Sequence, residues 1–270
     1  MTTLVTGATG NTGRHVVAEL VRRGEKVRAL TRRPGVVRFP AGVEVVEATH
    51  TEPQKLGEAL EGVSRLHITV TAGLADVGEE LVRRAVGAGV RRISVVWGGW
   101  VGPVEQAVAE SGVEWTRLEP QEFMSNTLTW ADSILKEGVV REPYDHPSAL
   151  VHEGDIGAVA AVALLEEGHA GRAYNLTGPE ALTSRERIVL LERVAGRPIA
   201  FETISHEQAV ERLMATGVSR EDADYVIGWY ADPGADAMTV VDTVEGVTGR
   251  PARTFARWVE EHAGRFRGRV

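Results

Sequence analysis

Over the first two thirds of the chain, short apolar runs alternate with stretches whose apolar positions recur every three to four residues. Thr3-Leu4-Val5-Thr6 reads as a strand, and residues 11–23 as a helix with Val16, Val17, Leu20 and Val21 on one face. Further strands are predicted at 26–31, 43–47, 66–70, 92–96 and 114–118. Helices are predicted at 53–60, 77–86 and 104–111. The first of these has Pro53 in its opening turn, where a missing N–H costs nothing, and the last is closed by Gly112. Strand, helix, strand at this spacing demands crossover connections, so the sheet is mainly parallel with helices on both faces. Right-handed crossovers make it doubly wound.

After Pro120 the rhythm changes. Residues 123–135 read as helical, and 138–154 as a looser segment rich in Gly, Pro and His. Asp155 is predicted to cap an apolar helix over 156–165. A strand follows at 173–176, then helical stretches at 184–195, 206–215 and 253–263, with a strand at 199–203 between the first two. The reading is α/β: a main domain over residues 1–150 whose sheet is completed by about 151–178, and a small, mainly helical, interleaved C-terminal lobe over 179–270.

Composition narrows the partners. There are 38 acidic against 30 basic residues, a net charge of −8, and the basic residues do not cluster. Such a surface repels phosphate backbones, so nucleic acid is not the expected ligand. Cysteine is absent, which removes disulfides, thiolate nucleophiles and zinc–thiolate sites. The N-terminal residues carry neither the basic nor the apolar region of a signal peptide, and the apolar run at 156–165 is too short to span a bilayer. A soluble, cytoplasmic monomer or homodimer acting on a small molecule is expected.

The first strand runs straight into Gly7-Ala8-Thr9-Gly10-Asn11-Thr12-Gly13 and then a helix. In a dinucleotide-binding turn the first glycine permits a tight bend, the second lets backbone approach a pyrophosphate, and the third allows close helix–strand packing. The helix start offers unpaired N–H groups and partial positive charge. Here the glycines stand at positions 1, 4 and 7 rather than 1, 3 and 6. Gly7, Thr9, Gly10, Asn11, Thr12 and Gly13 are therefore the candidate cofactor residues; the alternative is a glycine-rich turn that holds no coenzyme. A carboxylate ending the second strand would favour NAD. This chain has Thr31-Arg32-Arg33 there and no acid between Lys26 and Gly42. Paired guanidiniums at Arg32 and Arg33 suit a 2′-phosphate, hence NADP(H), unless both are merely a solvated loop face.

These residues resemble the NmrA-like, atypical short-chain dehydrogenase family. The resemblance rests on Gly7 to Arg14, Ser111-Gly112-Val113-Glu114-Trp115-Thr116-Arg117-Leu118-Glu119-Pro120 and Phe123-Met124-Ser125-Asn126. Asp155-Ile156-Gly157-Ala158-Val159-Ala160, Ala173-Tyr174-Asn175-Leu176-Thr177-Gly178-Pro179-Glu180 and Thr248-Gly249-Arg250-Pro251 extend it over nearly the whole chain. It implies a Rossmann-type domain with a small C-terminal substrate lobe. NADP(H) would lie between the glycine turn and the strand ends, where Thr71, Trp97 and Pro120 stand. The family includes quinone and isoflavone-type reductases and also redox sensors that bind dinucleotide without turnover, so fold does not decide activity.

Short-chain dehydrogenases generally supply the proton from a Tyr-x-x-x-Lys pair. The tyrosines here, Tyr144, Tyr174, Tyr225 and Tyr230, are followed four residues later by Ser148, Gly178, Trp229 and Gly234. The lysines are Lys26, Lys55 and Lys136, and none lies where the reductase members place theirs, in the segment just after the fifth strand. Trp97 occupies the position expected to be serine, and the family's Leu-Arg-Pro is Leu118-Glu119-Pro120. Trp97 and Trp100, at the end of the fifth strand, read as an aromatic wall for a planar substrate or as core anchors, with Phe123 a further substrate contact. Glu119 and Glu122 flank Pro120, and a partly buried carboxyl there could donate a proton; each reads equally as a helix-start carboxylate. His152 is the remaining proton-shuttle candidate, against a structural role before a helix, and His146 ranks below it. No metal-ligand spacing, nucleophile elbow or P-loop is present.

The leading expectation is an NADPH-dependent reductase of a small conjugated or aromatic carbonyl or quinone. The alternatives are a non-catalytic NADP(H)-binding redox sensor and a non-redox tailoring enzyme using Glu119, Glu122 or His152.

Overall fold

The chain opens with β1 (Thr2–Val5), α1 (Gly13–Arg22), β2 (Lys26–Thr31) and β3 (Glu44–Glu47). The alternation continues through α2 (Gly57–Leu60), β4 (Val63–Thr69), α3 (Gly78–Gly87), β5 (Arg92–Val96), α4 (Pro103–Glu110) and β6 (Glu114–Pro120). Next come α5 (Ala131–Glu137), β7 (Val139–Glu142), α6 (Glu153–Leu165), β8 (Arg172–Leu176) and α7 (Ser184–Ala195). β9 (Ala200–Thr203), α8 (His206–Met214), α9 (Arg220–Ala231), α10 (Gly234–Met238), α11 (Thr243–Thr248) and α12 (Phe255–Glu261) complete it. These elements come from a computed structural model that describes residues 1–35 and 38–267. Among the described residues no helix is long and apolar enough to cross a membrane.

The elements form two units. The first comprises Met1–Pro120, Glu153–Leu176 and Thr243–Arg250; the second comprises Gln121–His152, Thr177–Asp242 and the chain from Pro251 onward. The chain leaves and re-enters each unit, where the sequence reading placed a main domain at 1–150, completed by about 151–178, and an interleaved lobe at 179–270. Residues 121–152 fall in the second unit and 243–250 in the first. The last residues of the predicted lobe, 268–270, lie outside the described residues.

In the first unit seven strands pair in the order β3-β2-β1-β4-β5-β6-β8. Every pairing is parallel, as the crossover spacing predicts, so the sheet is Rossmann-type and doubly wound. Leu4, Leu66, Ile68 and Ile93 are fully buried at its centre. α1 approaches α6 at Gly157, where an added Cβ would lie 2.7 Å from the carbonyl carbon of His15. α6 is buried on all sides, which is why its sequence shows a continuous apolar run and no polar face. It begins at Glu153, so Asp155 is a buried first-turn residue and not the cap predicted. An acid in the first turn still meets the positive end of the helix.

In the second unit Met124, Ile134, Val140, Leu191, Phe255 and Trp258 form the main core, and Ala209, Val210, Ala223 and Ile227 a smaller one. Thr183 and Ser205 close capping boxes with Glu186 and Gln208 at the starts of α7 and α8. Three local differences from the predicted pattern matter. The stretch 123–135 is a 3₁₀ helix (Met124–Trp130) running into α5. The segment read as loose contains β7, which pairs in parallel with β9. The helices α9, α10 and α11 carry no long apolar stripe: α9 buries only Ala223 and Ile227.

Candidate functional site

The predicted cofactor turn has the geometry its glycines require. Gly7 has φ +58°, and a Cβ on it would lie 3.1 Å from the Cβ of Thr69. The Gly10 N–H donates to the Gly7 carbonyl at 2.8 Å and closes the turn. At Gly13 a Cβ would fall 2.2 Å from the Gly7 carbonyl oxygen, so the first turn of α1 packs directly on the β1 exit. Thr12, the N-cap of α1, makes no side-chain cap, and the first turn holds no acid. In that turn the Arg14 and His15 N–H groups donate to the Gly10 and Thr12 carbonyls, at 3.4 and 2.9 Å, and the positive dipole end of α1 faces the glycine turn. These residues fit a diphosphate. Thr9 is half-buried and Asn11 exposed on the same turn.

Arg32 and Arg33 are exposed directly after β2, and the Arg33 amide donates to the Thr31 hydroxyl at 3.2 Å. The positive charge of Arg32 reaches His50, whose pKa is lowered, first by burial and then by that guanidinium. His50 in turn meets the Thr71 hydroxyl through Nε2 at 3.1 Å. Thr71 thus belongs to a cluster that includes an imidazole the sequence spacing did not single out. No periodicity links residues 32, 50 and 71; the parallel sheet brings their strand ends together.

At the far end of β5 the Trp97 N–H donates to the Leu118 carbonyl at 3.1 Å, extending the ladder toward β6. Trp97 is half-buried, whereas Trp100 is 61% exposed. Pro120 is the last residue of β6, and Glu119 beside it is paired with Arg117 at 2.6 Å.

The remaining candidates lie in the second unit. Glu122 is buried, and both its oxygens accept from the Arg187 guanidinium, at 2.9 and 3.2 Å. Glu119 thus pairs with a guanidinium two residues earlier on its own strand, and Glu122 with one that its sequence neighbourhood did not reveal. Phe123 is half-buried and bridges to Val151. His152 is buried, with Nε2 3.1 Å from a carboxylate oxygen of Glu261.

Around the Glu122–Arg187 pair the second unit encloses a cavity of ≈ 400 Å³. Trp130, Tyr144, Trp229 and Tyr230 supply aromatic walls, and Glu142 and Arg212 also line it. The guanidinium of Arg187 lies over the Trp130 ring, 5.5 Å from its centroid. The Trp130 indole N–H donates to Glu142 Oε1. Burial pushes the Tyr230 phenol up, the Glu122 charge adds to this, and a side-chain hydrogen bond with Asn126 opposes it. The sequence reading passed over Glu142 and Arg187, and weighed Tyr230 only for a Tyr-x-x-x-Lys pair, which it lacks because residue 234 is Gly.

Comparison with known proteins adds a lineage. The model of the NmrA-like family matches residues 1–101, which contain the glycine turn, Arg32, Arg33, Thr71, Trp97 and Trp100. A (4-alkanoyl-5-oxo-2,5-dihydrofuran-3-yl)methyl phosphate reductase of Streptomyces griseus is 40% identical over 278 residues, covering 97% of this chain and 98% of that protein. An NAD(P)H azoreductase of Xenophilus azovorans is 35% identical over 282 residues, with 97% and 98% covered. Among solved structures, an NADPH-dependent quinone oxidoreductase from Escherichia coli superposes with a TM-score of 0.78 at 25% identity, over 97% of this chain and 99% of that one. The Citrobacter sp. triphenylmethane reductase complexed with NADP(H) superposes with a TM-score of 0.79 at 21% identity, over 97% and 99%, a likeness of fold alone.

Proposed function

Because the chain belongs to the NmrA-like family, we propose that it is an NADPH-dependent reductase whose acceptor is a small conjugated or aromatic carbonyl or quinone. The observation that carries this reading is the tight glycine turn after β1, in which Gly13 leaves no room for a side chain, leading into a helix with no acid in its first turn. Gly7, Thr9, Gly10, Asn11, Thr12 and Gly13 hold the diphosphate, and Arg32 and Arg33 take the 2′-phosphate. Thr71, Trp97 and Pro120, at strand ends of the same sheet, border the rest of the coenzyme. When bound, NADPH supplies a hydride. The relatives' acceptors, named as an azo compound, a quinone and an oxo-dihydrofuran, share conjugation with an electron-poor centre. Quinones suit a chain with no Tyr-x-x-x-Lys pair, since the hydroquinone anion takes a proton readily.

The test is acceptor-dependent loss of NADPH absorbance by the purified protein against a quinone panel. Turnover above background is expected, and its absence with every acceptor overturns the reading. The partners found on Glu119, Glu122 and His152 favour, as a second reading, coenzyme binding without turnover. That reading predicts stabilisation by NADPH or NADP over NADH and NAD, about 2.7 kcal/mol at a hundred times Kd, with every acceptor inert. A non-redox use of these three groups loses support from the same pairings.

A further inference from the structure

The cavity of ≈ 400 Å³ is lined by residues of the second unit alone. Trp130 ends the 3₁₀ helix before α5, Tyr144 follows β7, and Trp229 and Tyr230 stand near the end of α9. The Trp229 and Tyr230 rings meet edge to face, 5.1 Å between centroids, and Trp130 is buried. Aromatic faces of this kind favour a ligand that offers a flat ring to stack on them. Thr129, Arg212 and Val226 are exposed residues of the same lining, so solvent reaches the cavity on their side. A space of this size with aromatic walls suits one small molecule oriented by a few polar groups.

The polar groups of the lining divide into engaged and orphaned ones. Both oxygens of Glu122 accept from Arg187, through Nη1 and Nη2. The Trp130 indole donates to Glu142, and the Tyr144 hydroxyl meets His206 Nδ1 at 2.9 Å. Arg187 Nε, Thr127 Oγ1 and Ser148 Oγ, by contrast, have no hydrogen-bond partner among the described residues. Their residues are 4%, 1% and 5% exposed, and all three line the cavity. A guanidinium N–H only donates, and each hydroxyl has one hydrogen to give. Buried donors without acceptors are costly, so this lining lacks acceptor oxygens. Its charges balance: two carboxylates, Glu122 and Glu142, stand with two guanidiniums, Arg187 and Arg212. Neither a cation nor an anion is favoured there.

We propose that the second unit carries its own binding site for one neutral, flat, conjugated molecule with carbonyl oxygens, its ring against the aromatic walls and its oxygens accepting from the orphaned donors. The site goes beyond the reductase reading: it is complete within one unit, needs no coenzyme, and involves no bond made or broken. A hydrocarbon of the same outline would fill the walls and leave the donors unsatisfied. A carboxylate ligand would meet the Glu122 and Glu142 charges, and a quaternary ammonium the two guanidiniums.

Calorimetry on the full-length, coenzyme-free chain tests this with four two-ring probes: chromone, naphthalene, 2-naphthoate and N-methylquinolinium. Chromone, the neutral carbonyl compound, should bind saturably and at least ~10-fold tighter than the other three, as two hydrogen bonds of ordinary strength would give. Filling the cavity with Val226→Phe, or with Thr129→Phe in case the first variant folds poorly, should weaken chromone at least ~10-fold. The double variant Thr127→Val, Ser148→Ala should weaken chromone at least ~5-fold and leave naphthalene unchanged. Its urea midpoint without ligand should equal or exceed the wild type's, because the hydroxyls have no partner to lose. No saturable heat with chromone, or unchanged affinity in both fillings, overturns the site; should neither filling fold, the double variant decides. Naphthalene binding as tightly as chromone, chromone affinity unchanged in the double variant, or a lower urea midpoint overturns the donor contacts. Tighter binding of either charged probe overturns the neutral class. None of these measurements involves NADPH, so the reductase reading stands or falls separately.

Discussion

His67 makes the first unit sensitive to mild acid. It sits in β4 between Val5 of β1 and Ser94 of β5, with no exposed surface. Its Nδ1 meets the Ser94 hydroxyl at 2.8 Å, while Nε2 has no partner among the described residues. A proton added there would leave a charge in a dry sheet interior, so burial lowers its pKa from 6.5 to about 3. The unfolded chain therefore binds a proton that the folded chain refuses between those values. Stability is complete above pH 6.5 and is lost progressively as pH falls toward about 3. At 1.36 kcal/mol per unit, moving from about pH 7.5 to about pH 5 removes about 2 kcal/mol through this group alone. Urea unfolding at the two pH values, followed by tryptophan fluorescence and circular dichroism, measures the loss. The double variant His67→Phe, Ser94→Ala removes the imidazole together with its hydroxyl partner. Its stability difference between the two pH values should be smaller than the wild type's by about 2 kcal/mol. His50 and His169, whose pKa values burial also lowers, remain in both proteins and cancel. An equal pH dependence in wild type and double variant would refute the reasoning.

Three further outcomes are expected. Gly13→Ala should forgo the ~1 kcal/mol that alanine gains in an open helix and instead cost about 1–3 kcal/mol from the clash with the Gly7 carbonyl. It should also weaken NADPH at least ~10-fold, whereas Gly87→Ala, with open space around it, should stabilise the protein; matching behaviour of the two variants in denaturation contradicts this. Arg32→Ala should raise the NADPH Kd roughly 10-fold and leave NADH unchanged, as losing one charged hydrogen bond would, and calorimetry that finds both coenzymes equally affected counts against a 2′-phosphate contact. Arg187→Ala leaves Glu122 buried without its partner and should cost about 3–5 kcal/mol in urea unfolding, while Glu122→Leu with Arg187→Met should recover most of it; equal losses in the two variants would show that packing, not charge, holds this position.

The legible features are those that repeat locally. β2, β5 and α7 begin and end where their apolar periodicity and caps place them, because burying one face of a regular element writes a period of two or 3.6 into the sequence. β7 was hidden because its apolar part is only Val139 and Val140, set between Gly138 and Pro143. α9 was hidden because its exposed face carries Tyr225 and Val226. Asp155 was misplaced by one helical turn because Glu153 and Gly154 do not look like helix starters, although the buried environment accepts them.

The site divides along the same line. The proposed coenzyme turn is contiguous, so Gly7, Gly10 and Gly13 stand out by spacing, and Arg32 and Arg33 by their place at the end of a predicted strand. The lobe cavity joins positions 122, 130, 142, 187 and 230, brought together from five separate segments. Sequence by itself determined the parallel sheet and the tight glycine turn after β1, because both follow from local periodicity and local sterics. Only the tertiary structure decided which carboxyls are neutralised and which one faces an aromatic cavity. Burial and charge pairing arise between residues that the chain keeps far apart until it folds.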